Sequence, residues 1–200
     1  MCHSFLNDSN FYQLLFRIDQ SIAVEEQKAG CSCGGVLHSA RYPRKPRGIR
    51  SVLDESYDYR LSFCCSEDGC RRRRTPPSVR FLGRKVYLGV MVVLATALHH
   101  GLTGKRRQQL IDVLDISPQT LSRWRAFWRE IFPQSRCWQA ERCCFIPPVD
   151  VIHLPDTLLA RFTAEALSDR LCQLLVLVCP VTTASSPYLR VTLDPQKMRF

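Results

Sequence analysis

A chain of 200 residues with 46% hydrophobic and 23% charged side chains has enough apolar material to bury a core, which excludes a disordered chain. Its net charge of +10 is uneven: Cys31 to Glu130 holds 19 Lys and Arg against 8 Asp and Glu, so the surplus sits in mid-chain and points to a polyanionic partner. The longest apolar runs, 13 residues in VYLGVMVVLATAL and 11 in LCQLLVLVCPV, fall short of the roughly 20 that a membrane-spanning helix needs.

The opening MCHSFLNDSNFYQ lacks the basic and continuous apolar regions of a secretion signal. With an odd count of 11 cysteines, the expectation is a cytoplasmic protein whose thiols are reduced or metal-bound. Residues 1–30 form a first unit, in which Phe5 to Lys28 reads as an amphipathic helix. Asp8 or Ser9 caps it, and Phe11, Leu14, Leu15, Ile18 and Ile22 recur at helical spacing.

Residues 31–75 have a different texture. Cys31 and Cys33 in CSCGG make one tight turn, and Cys65 and Cys70 in FCCSEDGCRRRR make a second. Two turns that each offer two thiolates can complete a tetrahedron around zinc. The stretch between them is long enough for a β-hairpin, with YDYRLSFC suited to a strand, so the expected module is a zinc ribbon with a structural zinc ion. Cys64 competes with Cys65 for a place in the ligand set, and His38 can replace a thiolate. Cys2, Cys137, Cys143, Cys144, Cys172 and Cys179 have no second pair at convincing spacing.

Basic residues flank these turns. Arg41, Arg44, Lys45 and Arg47 lie in RYPRKPRG, expected to be a proline-stiffened loop, and Arg71, Arg72, Arg73 and Arg74 follow the last cysteine directly. Both groups are expected to meet phosphates.

Residues 76–133 open on a basic connector held out of helix by Pro76 and Pro77. A helix apolar nearly all round, from about Gly83 to His100, has to be buried. Lys105 to Leu114 and Pro118 to Phe132 then read as a helix-turn-helix, with Ser117 as N-cap and Pro118 in the first helical position. Leu121, Trp124, Trp128 and Ile131 form the inner face of the second helix. Gln119, Thr120, Ser122 and Arg123 are left to read a major groove, and Lys105, Arg106 and Arg107 to contact the backbone. In residues 134–200 one helix is expected from about Asp156 to Val178, followed by an irregular tail.

The fold class expected is mainly α with a small β zinc-ribbon-like module and a helix-turn-helix bundle. With CSCGG, FCCSEDGCRRRRTPP and SPQTLSRWRAFW in this order, the region from Cys31 to Phe132 resembles the DNA-binding front part of bacterial insertion-sequence transposases and their associated small proteins. The resemblance implies recognition of double-stranded DNA in a bacterial cell, nucleoid-associated when bound, with a transposase subunit or a second copy as further partner. Transposases of the common type cut DNA with a metal-binding carboxylate triad. The acids after Phe132, of which Asp150 is the best candidate, are not set on recognisable strands. The chain is therefore expected to be a DNA-binding protein, not an enzyme. A fragment of a metal-dependent transposase or nuclease, or a protein-interaction adaptor, is the alternative.

Overall fold

Asp8 opens the first helix by accepting the backbone N–H of Asn10 at 2.9 Å, and α1 runs from Ser9 to Lys28. Gly30, with a φ of +68°, ends it in the left-handed conformation that favours glycine and turns the chain into Cys31. The computed structural model describes residues 7–44, 46, 53–82, 87–99, 103–114 and 116–183, apart from the side chains of 98, 99, 106, 107 and 113.

Three antiparallel strands follow, β1 (Leu37–Pro43), β2 (Tyr59–Cys65) and the short β3 (Arg73–Arg74), in the order β1-β2-β3. Arg41, Tyr42 and Pro43 therefore belong to an edge strand and not to a loop, and Pro43 sits at its last position, where a missing donor costs little. The register pairs Leu37 with Cys65, His38 with Cys64 and Tyr42 with Arg60. Because strand side chains alternate, one face carries Leu37, Phe63 and Cys65. This face is buried with Ala23 of α1 and Cys31, with Leu61 and Cys70 packed alongside.

The remaining helices are α2 (Gly89–His99), α3 (Gly104–Leu114), α4 (Pro118–Ala126), α5 (Arg136–Glu141), α6 (Asp156–Leu159) and α7 (Leu167–Val178). They build a larger core with α1, which holds Phe11, Tyr12 and Leu15 of α1, Val90 to Ala95 of α2 and the aromatic row Trp124, Trp128, Phe132 and Trp138. Residues 90–96 of α2 are all buried, as its all-round apolar sequence requires. Among the described residues no helix is long and apolar enough to cross a membrane.

Three helices differ from expectation. The buried helix expected from about Gly83 begins only at Gly89, because Leu88 pairs with Phe81 in a β-bridge before it. After α4 the backbone widens into a π-helical turn at Phe127–Ile131, where the Phe132 N–H reaches back to the Phe127 carbonyl. The extra residue shifts the inner face by one position, so Ile131 is 58% exposed and Phe132 takes its place at 0%. The expected single helix from Asp156 to Val178 is broken between Leu159 and Leu167. Its apolar spacing slips there: from Phe162 the next large apolar residue is Leu167, too far on to continue the face of Leu158, Leu159 and Phe162.

The basic connector is not an exposed strap. Pro76 to Phe81 are buried, and Arg80 is completely enclosed. Its guanidinium is held at 2.7 Å by Asp19 of α1, whose carboxylate also accepts the Ser78 hydroxyl at 2.6 Å and the Val79 N–H at 2.7 Å.

Candidate metal centre

The two cysteine turns are fixed from both sides. In the first, Gly34 donates its N–H to the Cys31 carbonyl at 2.9 Å and takes a φ of +88°, while Cys31 donates to the Gly35 carbonyl at 3.1 Å. In the second, Cys70 and Arg71 both donate to the Glu67 carbonyl, at 3.0 and 2.9 Å. Gly35 packs against the second turn so closely that a Cβ there would lie 2.7 Å from the Cys65 sulfur. Its lack of a side chain lets the turns meet.

The result is one cluster: the sulfurs of Cys31, Cys33, Cys65 and Cys70 all lie within 4.8 Å of one another. Cys31 Sγ is 3.8 Å from Cys70 Sγ, and Cys33 Sγ is 3.4 Å from Cys65 Sγ. A tetrahedron of sulfurs at about 2.3 Å from a central ion has edges of about 3.8 Å, so the spacing suits a four-coordinate metal. Four close cysteines can hold a metal ion here.

Neither alternate ligand joins them. Cys64 is one residue along the strand from Cys65 and so points to the other face, where its thiol donates to the Arg71 carbonyl at 3.7 Å. His38, opposite Cys64 in the register, shares that face and is exposed.

The thiols differ in how readily they ionise. The Cys33 backbone N–H, aimed at the Cys31 sulfur, outweighs burial and holds that thiol down to about 6. At Cys65 the Glu67 N–H also favours the thiolate, but burial and the three neighbouring sulfurs prevail and lift it to about 12. Cys33 receives the Gly35 N–H, yet Cys31, Cys70 and burial leave it raised. One negative charge forms easily and further ones need a cation.

Several of the basic residues expected to meet phosphates make contacts within the chain. Arg71 is paired with Asp68, and Arg72 donates to the Ser32 hydroxyl at 3.0 Å. Arg74 donates to the Gly30 carbonyl at 2.6 Å and faces Glu26 at 4.0 Å, bracing β3 on the end of α1. Arg41 lies over the Tyr59 ring at 4.5 Å, and Arg44 and Arg73 lie over Tyr42 at 4.3 and 5.9 Å. Lys45 and Arg47 fall outside the described residues, as do the side chains of Arg106 and Arg107; Lys105 is exposed.

On α4, Gln119, Ser122 and Arg123 are exposed on the first turns. Thr120 is not with them: it is buried, its hydroxyl 3.1 Å from that of Ser117 and its N–H donating to the same oxygen at 3.2 Å. It belongs to the helix cap. Asp150 is a cap as well, accepting the Ile152 N–H at 2.8 Å. The hydrogen bond from His153, 2.6 Å away, and then that N–H hold its carboxyl below the usual range.

Sequence reading missed Tyr42, although the alternation of His38, Ala40 and Tyr42 with Ser39 and Arg41 marks them as one face of a strand. It also missed Asp19, a charge on the apolar face of α1, three residues before Ile22. No protein-family model, curated protein or solved structure matches this chain.

Proposed function

We propose that the chain is a zinc-stabilised DNA-binding protein, transposase-related or transposon-associated, in which the metal centre fixes a basic sheet beside a helix-turn-helix. The observation that carries this reading is the four-sulfur cluster, followed directly by Arg71 to Arg74, of which Arg73 and Arg74 form β3 and Arg73 is exposed. Among the described residues the apolar cluster of the sheet has five buried members, Ala23, Cys31, Leu37, Phe63 and Cys65, and a core of that size gains much of its folding energy from the ion it binds. Four thiolates at tetrahedral spacing favour zinc over the hard cations, which prefer oxygen.

The mid-chain charge surplus then has a rigid support. α4 presents Gln119, Ser122 and Arg123, residue types that pair with adenine, with hydroxyl-accepting groups and with guanine. Arg41, Lys45, Arg47 and Lys105 supply sequence-independent attraction. The test is binding of the zinc-loaded chain to duplex DNA over a salt series. Log affinity should fall linearly with log salt, by a slope of about 0.9 for each phosphate neutralised; affinity independent of salt refutes the reading.

A further inference from the structure

The sheet has two unequal faces. One is covered by α1 and the sulfur cluster. The other is covered at its middle, where Ser62 and Arg60 of β2 are buried and Arg60 donates to the Pro76 carbonyl at 2.8 Å and to the Thr182 hydroxyl at 3.2 Å. Beside them β1 places the exposed His38 and Tyr42, and β3 adds the exposed Arg73 opposite Cys64. Tyr42 is 40% exposed and carries the Arg44 guanidinium 4.3 Å from its ring centre, with that of Arg73 at 5.9 Å.

Among the described residues no carboxylate lies within ion-pairing distance of Arg44 or Arg73. The Arg44 Nε is buried with no acceptor among them. Among the described residues this face therefore joins two cations without a carboxylate partner to an aromatic ring. Phosphate contacts alone need the cations and not the ring. A ring layered with guanidinium suits the flat face of a nucleic-acid base, which is accessible where the strand is unpaired and enclosed in a duplex.

We propose that the exposed part of this face, around Tyr42, takes an unpaired stretch of DNA, with Tyr42 and the Arg44 guanidinium as the platform on which a base stacks and Arg73 meeting an adjacent phosphate. The inference rests on the DNA-binding reading and specifies which form of DNA the sheet engages. It assigns the sheet to unpaired bases and leaves α4 for the duplex. A junction where paired and unpaired DNA meet satisfies both.

The experiment is fluorescence anisotropy of the full zinc-loaded chain with an oligothymidine strand, the same strand carrying abasic positions, and a hairpin duplex. Tyr42→Ala should weaken binding of the oligothymidine about five-fold or more, since stacking is worth about 1–3 kcal/mol per base, while leaving the salt slope and the duplex affinity unchanged. Tyr42→Phe should bind like the unaltered chain. Arg73→Ala should lower the salt slope for the single strand by about 0.7. With the unaltered protein the abasic strand should lose affinity by a similar factor, a readout that needs no variant to fold. Equal affinity for the abasic and normal strands, or equal loss of single strand and duplex in Tyr42→Ala, overturns the proposal and leaves the DNA-binding reading standing. Failure of the unaltered chain to bind either form overturns both.

Discussion

The Arg80 guanidinium lies 2.7 Å from the Asp19 carboxylate, and both side chains are almost wholly enclosed. Arg80 also lies 4.7 Å from the Phe16 ring and 5.1 Å from the Tyr57 ring, and donates to the Ser56 carbonyl at 2.5 Å. This pair joins α1, the turn before β2 and the buried connector, so it locks the sheet module to the helices. Removing one partner leaves the other charge buried and alone.

Asp19→Asn is therefore expected to destabilise the chain by about 3–5 kcal/mol. Urea unfolding of the metal-loaded protein measures it, and a midpoint within error of the unaltered protein contradicts the lock.

The ligand set separates two neighbouring cysteines. Cys65→Ser should lower bound zinc to a small fraction of stoichiometric, while Cys64→Ser, whose sulfur lies on the other face of the strand, should keep it. Metal content after purification under reducing conditions distinguishes them.

Binding an ion to thiols expels their protons, so metal affinity must fall as pH falls. With Cys65 lifted to about 12 and Cys33 raised, both carry protons at neutral pH and give them up on binding. Cys31, held near 6, is ionised at neutral pH and protonated below that value. Log affinity against pH should therefore steepen below about pH 6 by one further proton, as read by chelator competition on either side of that pH.

The π-helical turn gives a contrast within two residues. Phe132→Ala should cost about 3–5 kcal/mol by emptying a core position, whereas Ile131→Ala should change stability by less than about 0.5 kcal/mol, as for an exposed residue. Thermal unfolding checks both; a larger loss at Ile131 would mean that its exposed face is covered.

On α4 the prediction separates reading from capping. Arg123→Ala should relax the preference at one base pair, by about 1–3 kcal/mol, with unfolding unchanged. Ser117→Ala should instead lower stability by about 0.5–2 kcal/mol, since it removes the oxygen that accepts the Thr120 N–H. A sequence selection and a melting curve on each variant make the comparison.

Much of the candidate metal centre was legible because cysteine spacing is short-range: the four sulfurs come from two turns whose glycines and pairs stand in the sequence. Choosing Cys65 over Cys64 needed the strand register, which pairs Leu37 with Cys65 across 28 residues. The helix pair was legible through Ser117 and Pro118, which act locally. Thr120 was misplaced because its hydroxyl turns back to the cap, and Ile131 because one extra residue per turn defeats a fixed period. The arginines could not be sorted from sequence at all. Arg80 is interior and Arg74 a brace, and only the position of Asp19 and Glu26 on α1 decides that.

X-ray absorption at the zinc edge, on the reduced and zinc-loaded chain, addresses the central claim most directly. The account predicts one zinc per chain with four sulfur neighbours at about 2.3 Å. A shell containing nitrogen, as His38 would supply, or no stoichiometric zinc at all, contradicts it.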